Sequence, residues 1–216
     1  MIKLNNITKK YGKNPVLKDI SFEIASGETV AIIGKNGCGK STLLQIMAGC
    51  LKPDSGSFSY YGKTTTDCCG YLPQENPLME QLSVKDNLKL WTKKSFRISE
   101  EFIETFALKD ILNKRVEQLS GGMKRRLSLA CACMNQPAIL LLDEPTTALD
   151  FYHQEIIQHI LDEHRRKNGI VVLITHELDE ILAADRCLLM EDGCIRELDK
   201  TDISKTYLAT LYKEKQ

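Results

Sequence analysis

A glycine-rich segment at residues 34–41 carries the most distinctive chemistry in this sequence. It reads GKNGCGKS and matches the pattern G-x-x-x-x-G-K-[ST]. Glycines let the backbone turn its N–H groups towards phosphate oxygens, and the N-terminus of a following helix adds a favourable dipole. In such a loop Lys40 reaches the outer phosphates of a nucleotide, and the Ser41 hydroxyl binds Mg²⁺. The pattern predicts a nucleotide-binding loop formed by Gly34, Lys35, Asn36, Gly37, Cys38, Gly39, Lys40, Ser41 and the adjacent Thr42.

Two carboxylates follow an apolar run near residue 140. Residues 139–142 are all aliphatic, and Asp143 and Glu144 come directly after them. An aspartate at the end of a strand beside a phosphate-binding loop holds Mg²⁺. A carboxylate one position later can point at the terminal phosphate and orient or deprotonate a water molecule. We therefore assign Asp143 to the metal and Glu144 to catalysis.

Residues 119–123 read LSGGM and open a helix-forming stretch. Ser120 could simply cap that helix, because serine is a favoured N-cap residue. A cap does not need two glycines beside it, however, and Gly121 and Gly122 at a helix N-terminus form an anion site. The sequence predicts a second phosphate-binding surface here, separate from the complete nucleotide pocket.

Alternating strand and helix patterns indicate which elements position these residues. Residues 29–33 are apolar and largely β-branched, as expected of a strand buried on both faces of a parallel sheet. The repeated order of strand, crossover helix and strand is typical of an α/β fold with a mainly parallel sheet. Further strands are predicted at 138–142, 170–174, 186–190 and 194–197, and helices at 41–48, 121–134, 151–167 and 177–184.

The remaining segments depart from this alternation. Residues 2–24 predict short antiparallel strands, and residues 57–61 predict another strand. Residues 84–112 show helical periodicity, and we interpret them as a helical insertion; a polar helix is predicted from Lys200 to the C-terminus. We expect a single domain over 1–216, in which 1–73 and 136–216 form the nucleotide-binding core and 74–135 form a helical subdomain.

Composition excludes several classes of protein. The sequence has 29 basic and 29 acidic residues, so it has no global basic field to hold nucleic acid. Its longest strictly apolar run has six residues, whereas a membrane span needs about 20. The eight cysteines form no C-x-x-C pair and follow no secretion signal. We therefore expect reduced thiols and a cytoplasmic location.

The motifs together resemble those of the ATP-binding subunit of ABC transporters. Residues 34–41 are similar to the family's Walker A motif, and residues 139–144 to its Walker B motif with the catalytic glutamate. Residues 119–123 are similar to the LSGGQ signature, in which Met123 replaces the usual glutamine. Four further residues match single family positions: Gln74 the Q-loop, Asp150 after Ala148 and Leu149 the D-loop, His176 the switch histidine, and Tyr11 the aromatic residue that stacks on adenine.

The resemblance implies a P-loop NTPase fold of the RecA-like kind and Mg²⁺-dependent hydrolysis of ATP. In the family pattern Glu144 polarises the attacking water, while His176 and Lys40 hold the γ-phosphate. Gln74 senses the Mg²⁺ that Ser41 and Asp143 bind.

The resemblance also implies a head-to-tail dimer of this chain with a second copy or a related subunit. Two ATP molecules lie between the subunits, and Ser120, Gly121 and Gly122 meet the γ-phosphate held by the partner's loop. Asp150 links the two sites across the dimer.

A separate transmembrane permease is the implied partner, and it places the protein on the cytoplasmic face of the membrane. Only 18 residues follow Leu198, too few for the regulatory domain of many importer subunits, so we expect an exporter-type subunit. The alternative is a soluble ABC ATPase acting on DNA or ribosomes, which the zero net charge disfavours. A P-loop kinase or GTPase leaves the signature unexplained, and a non-hydrolysing binding module does not need the complete catalytic set.

Overall fold

The computed structural model describes residues 1–61, 68–92, 98–147 and 149–213. Ala148, part of the predicted helical insertion (93–97) and the last part of the predicted C-terminal helix (214–216) lie outside the described residues. In the described ranges the strands are β1 (Ile2–Tyr11), β2 (Asn14–Ile24), β3 (Thr29–Ile33), β4 (Ser55–Tyr60), β5 (Cys69–Leu72), β6 (Ile139–Asp143), β7 (Ile170–Ile174), β8 (Arg186–Glu191) and β9 (Cys194–Leu198).

Helices cover the sheet and supply the remaining elements. Three 3-10 turns accompany them, at Lys109–Ile111, Val116–Gln118 and Lys200–Asp202. In the same described ranges the α-helices are α1 (Lys40–Met47), α2 (Val84–Leu90), α3 (Glu100–Thr105), α4 (Gly121–Cys133), α5 (Phe151–Arg166), α6 (Leu178–Ala183) and α7 (Lys205–Tyr212).

The larger sheet has six strands in the order β5-β6-β7-β3-β8-β9. All neighbours in it are parallel except β9, which runs antiparallel to β8. Strands β6, β7 and β3 are consecutive in this order, so their carboxyl ends lie side by side at one edge. The residues that follow them, Glu144, Thr175 and Gly34, therefore meet at that edge, which we call the catalytic edge. The predicted α/β fold with a mainly parallel sheet is confirmed.

Both faces of the parallel strands are buried, which explains why their sequences are continuously apolar. In β6, Ile139 and Leu141 pack with α1 on one face, whereas Leu140 and Leu142 pack with α4 and α5 on the other. Each of these four side chains is fully buried and contributes about 1.5–3 kcal/mol by leaving water. The double burial holds the end of β6 rigidly.

A second sheet is antiparallel, with the order β2-β1-β4. Its apolar residues, among them Ile2, Leu4 and Ile20, are buried against the core that contains α1. The sheet packs directly on the phosphate-binding loop, because the carbonyl oxygen of Val16 lies 2.9 Å from the position of a Cβ at Gly39. The predicted N-terminal antiparallel strands are confirmed, although β1 and β2 are longer than expected.

Three elements differ from the sequence-based expectation. Strand β5 has no counterpart among the predictions, since its four residues include Cys69 and Gly70 and show no long apolar run. The helical insertion consists, in its described part, of the short helices α2 and α3 and two 3-10 turns rather than long helices. The predicted C-terminal helix is interrupted between the turn at Lys200–Asp202 and α7, because Ser204 caps α7 through the Tyr207 N–H.

Candidate active site

The phosphate-binding loop joins β3 to α1, and its backbone conformation depends on glycine. Gly34 has a φ of 147°, and a Cβ there would lie only 2.2 Å from the carbonyl oxygen of Met190 on β8. Lys40 begins α1, and its Nζ donates to the carbonyl oxygens of Gly34 (2.6 Å) and Lys35 (2.9 Å). The lysine ammonium is thus held against the backbone that the sequence predicts to bind phosphate.

Ser41 and Asp143 come together beneath this loop. Ser41 lies in the first turn of α1, Asp143 ends β6, and their side chains share a hydrogen bond. Asp143 is 3% exposed. Burial raises the pKa of its carboxyl group, while the Ser41 hydrogen bond and the charge of Lys40 act in the opposite direction. A buried carboxylate beside a hydroxyl is suited to a hard divalent cation.

These residues fit Mg²⁺ as a cofactor. In the part of the chain that the structure describes, no cluster of three or more His, Cys, Asp or Glu side chains could hold a metal ion. Mg²⁺ in nucleotide sites usually takes one or two protein ligands and completes its shell with phosphate oxygens and water. Ser41 and Asp143 would hold the ion, which would neutralise charge on the phosphates.

Gln74, Glu144 and His176 converge at the catalytic edge, as the sequence predicts. Gln74 Nε2 lies 3.4 Å from Glu144 Oε2, and His176 Nδ1 lies 3.6 Å from Glu144 Oε1. Glu144 adopts a φ of 51°, in the left-handed region that non-glycine residues rarely occupy. Its N–H donates to the carbonyl oxygen of Ile174 at 2.9 Å, which ties the residue to β7.

The signature residues and Asp150 form a separate group, which we call the signature cluster: Ser120, Gly121, Gly122, Asp150 and His153. Ser120 caps α4 by accepting from the Met123 N–H, so the capping role weighed above is observed. Asp150 caps α5 and accepts from both the backbone N–H (3.0 Å) and Nδ1 (2.7 Å) of His153.

The two signature glycines have opposite surroundings. A Cβ on Gly122 would lie 2.8 Å from Cγ of His153, so α4 and α5 approach closely there. A Cβ on Gly121 would have no heavy atom within 4 Å. The cluster therefore presents an open surface at Gly121, above a tightly packed Gly122.

The other predicted nucleotide contacts lie around the loop. Tyr11 ends β1 and is 52% exposed, with Lys9 Nζ 5.9 Å from its ring centroid. Asn36 and Gly37 are exposed in the loop, while Cys38 and Thr42 are half-buried. Their positions are compatible with the predicted roles, which stay predictions.

Arg125 is the main residue that sequence reasoning missed. It lies on α4, is 5% exposed, and donates to the backbone carbonyl oxygens that flank Gln74 and Glu144. A signal existed in the sequence, since Arg125 is four residues before the buried Leu129 and therefore falls on the buried face of its helix.

Glu180 and Tyr212 also support the catalytic edge without having been predicted. Thr146 donates to Glu180 Oε1 at 2.7 Å, and Thr175 shares a hydrogen bond with the same carboxyl group. The Tyr212 ring stands edge-on to His176, with centroids 6.4 Å apart, and its hydroxyl lies 3.5 Å from the Thr175 carbonyl oxygen. No sequence motif marks either residue, because their partners are distant along the chain.

Comparison with known proteins decides the family. Residues 17–147 match the family described as ABC transporter. This chain belongs to that family as an ATP-binding cassette. The predicted ABC-type ATPase family and P-loop NTPase fold are therefore confirmed, and the P-loop kinase and GTPase alternatives are not supported.

Curated relatives include subunits of systems with different cargoes. The chain is 37% identical over 213 residues to the spermidine/putrescine import ATP-binding protein of Spiroplasma citri, covering 92% of this chain and 61% of the relative. It is 32% identical over 207 residues to the Nod factor export ATP-binding protein I of Rhizobium etli, covering 89% of this chain and 66% of the relative. The chain thus spans about two thirds or less of these relatives.

Other matches cover nearly the whole length of the matched protein. The ABC transporter ATP-binding protein YvrO of Bacillus subtilis is 34% identical over 228 residues, with 94% of this chain and 99% of the relative covered. Among solved structures, a dimeric ATP-binding cassette in a post-hydrolysis state with ADP and Pi matches with a TM-score of 0.81 and 30% identity. That match covers 93% of this chain and 99% of the cassette.

Proposed function

We propose that this protein binds ATP with Mg²⁺ and hydrolyses it to drive an ABC transporter. The observation that carries the proposal is the convergence of Lys40, Asp143, Glu144 and His176 at the catalytic edge, beside a loop that fits phosphate. Hydrolysis of a phosphoanhydride depends on positioning and charge neutralisation more than on covalent chemistry, and these residues supply both.

Each side chain has a distinct role in the proposed reaction. Lys40 binds the β- and γ-phosphates, and Ser41 and Asp143 hold the metal. Glu144 orients and polarises the attacking water, because its carboxylate lies between Gln74 and His176. His176 holds the γ-phosphate together with that water, and Gln74 senses the metal. Tyr11 stacks on adenine.

We further propose that two cassettes, identical or related, assemble head to tail. The signature cluster then binds the γ-phosphate held by the other subunit's loop, through Ser120, Gly121 and Gly122, while Asp150 joins the two sites. Two observations support this arrangement: Gly121 opens onto free space, and solved cassettes that resemble this chain are dimers.

The partner in this proposal is a separate transmembrane permease. No helix within the described ranges has both the length and the apolarity to cross a bilayer. The relatives named above are ATP-binding proteins of import and export systems. We place the protein at the cytoplasmic face of the membrane, with residues 1–73 and 136–216 as the ATP-binding core and 74–135 as the helical subdomain. Export as the direction of transport stays a prediction.

Replacing Glu144 with glutamine tests the proposed hydrolysis. We expect ATP binding to persist and kcat to fall by about 100-fold or more, since a general base contributes that much. The control is Glu23→Gln, which changes an exposed carboxylate that pairs with Lys3 on the antiparallel sheet. Glu23→Gln should hydrolyse ATP like the unchanged protein. ATPase activity that survives Glu144→Gln would reject the assignment.

A further inference from the structure

Arg125 joins two parts of the molecule that the proposed function treats as separate. It lies on α4, five residues after Ser120 of the signature cluster, and its guanidinium reaches the catalytic edge. We infer that Arg125 is a positioning residue. It fixes the positions of Gln74 and Glu144 relative to each other and couples both to α4. The inference rests on the proposed ATPase function.

The guanidinium uses all three of its nitrogens on backbone carbonyl oxygens. Nη1 donates to Pro73 (2.6 Å) and Gln74 (3.1 Å) in the segment after β5. Nη2 donates to Glu144 (2.9 Å) and also to Asp143, and Nε donates to Pro145 (3.3 Å). One buried side chain thus bridges the segment that carries Gln74 and the segment that carries Glu144.

The planar shape of the guanidinium explains why this bridge positions residues. Arginine presents five N–H donors in a fixed fork, whereas lysine offers a compact ammonium on a flexible chain. With the fork bound on both sides, the distance between the two backbone segments is set by one rigid group. The side chains of Gln74 and Glu144, which lie 3.4 Å apart, inherit that spacing.

Two local costs at the catalytic edge, the backbone conformation of Glu144 and the burial of the Arg125 charge, are offset by the contacts between these residues. Glu144 has a left-handed φ of 51°, a conformation that persists only where the surroundings hold it, and Arg125 binds its carbonyl oxygen. Burial lowers the pKa of the Arg125 guanidinium, but the nearby carboxylates of Asp143 and Glu144 favour its charged form. The arginine remains cationic, because arginine is not deprotonated in proteins.

The same bridge gives α4 a route to the catalytic glutamate. The N-terminus of α4 is the signature cluster, which in the proposed dimer meets the nucleotide of the other subunit. Movement of α4 displaces Arg125 and with it the carbonyl groups beside Gln74 and Glu144. Nucleotide bound at one composite site therefore changes the positions of the hydrolytic residues at the other.

The neighbouring Arg126 provides a matched control. It is equally buried, at 4% exposure, and lies on the same helix. Its side chain hydrogen bonds to Tyr152 on α5 rather than to the catalytic edge. Replacing Arg126 with glutamine removes a buried arginine from α4 but leaves the bridge between Gln74 and Glu144 in place.

The experiment compares Arg125→Gln, Arg125→Lys and Arg126→Gln by ATPase kinetics and by equilibrium ATP binding. We expect kcat of Arg125→Gln to fall about 10- to 100-fold, as small misplacements of catalytic groups do, with the Kd for ATP nearly unchanged. The kcat of Arg125→Lys should fall less, because the lysine ammonium restores some of the hydrogen bonds to the carbonyl oxygens. Arg126→Gln should retain a kcat near that of the unchanged protein at a temperature where it is folded.

Combination with Glu144→Gln separates positioning from general loss of stability. If Arg125 acts through Glu144, Arg125→Gln should slow the Glu144→Gln variant no further. A folded Arg125→Gln with normal kcat, or an equal loss of kcat in Arg126→Gln, would overturn the inference. If Arg125→Gln does not fold, Arg125→Lys decides by the same criteria. If the protein without substitutions has no ATPase activity, the proposed function is rejected, and the inference with it.

Discussion

The catalytic edge and the signature cluster bind phosphate, in our account, by two different constructions. At the catalytic edge, groups from β3, β6, β7 and the segment after β5 meet within one chain, and Glu144 contacts both Gln74 and His176. In the signature cluster, the polar groups are occupied by the caps of α4 and α5, and Gly121 faces open space. The first region is assembled by the fold, whereas the second is a surface that requires a partner.

The two regions also differ in backbone conformation. The catalytic edge contains Glu144 and Gly34 in left-handed regions of φ, at 51° and 147°. The caps Ser120 and Asp150 have ordinary extended φ and ψ angles. Unusual backbone geometry tends to occur at sites of chemistry, which supports our proposal that ATP is hydrolysed at the catalytic edge and recognised at the signature cluster.

Loss of the lysine from the catalytic edge should have the largest effect. Lys40→Ala removes a cation from the phosphate-binding loop, and charge-assisted hydrogen bonds are worth about 1.5–3 kcal/mol each. We expect ATP affinity, measured by titration calorimetry, to fall at least about 10-fold. Lys3→Ala is the control, since Lys3 is an exposed lysine that pairs with Glu23 on the antiparallel sheet, away from the loop. Equal losses in both variants would contradict the separate role of Lys40.

Substitution by alanine should destabilise the protein at one signature glycine and leave it unchanged at the other. Gly122→Ala forces a methyl group against His153, and we expect the free energy of unfolding to fall by about 1–3 kcal/mol, as for other overpacked sites. Gly121→Ala should leave the melting temperature unchanged, because its methyl group enters open space. Differential scanning calorimetry of the protein without nucleotide measures both. Equal destabilisation would show that Gly121 is enclosed rather than open.

Alkylation of Cys38 should show the smallest effect of these experiments, but it probes the phosphate-binding loop most locally. Burial raises the pKa of its thiol, which the charge of Lys40 only partly offsets. The thiolate is the reactive form, so alkylation should be slow at pH 7 and accelerate as the pH rises. ATP should slow alkylation of Cys38 but not of the exposed Cys194, as read by peptide mass spectrometry. Equal protection of both thiols, or of neither, would argue against nucleotide in this loop.

Part of the catalytic edge was predictable from local pattern because its residues follow strands directly, whereas Gln74 and His176 were identified only by the resemblance to the family. Asp143 and Glu144 end a run of buried aliphatic residues, and the loop from Gly34 follows β3, so local pattern and position agree. The signature cluster was only partly predictable, since capping by Ser120 and anion binding share the same residues. The packing of Gly122 on His153 depends on the approach of two helices, which no local pattern specifies.

Arg125 and β5 show where sequence reasoning ends. The partners of Arg125 are backbone carbonyl oxygens 18 to 52 residues away, and carbonyl groups have no signature in sequence. Strand β5 is defined by pairing with β6 rather than by its own four residues, which are too few to show a period. Both features arise from tertiary contacts that override local preference.

Sedimentation of the Glu144→Gln variant tests the central claim that the signature cluster completes a site on a second subunit. We predict a monomer without nucleotide and a dimer with ATP and Mg²⁺. Adding Gly121→Glu, whose side chain fits open space in the monomer but repels a γ-phosphate, should restore the monomer while ATP binding persists. A Glu144→Gln variant that stays monomeric when saturated with ATP, or a dimer that survives Gly121→Glu, would contradict the account.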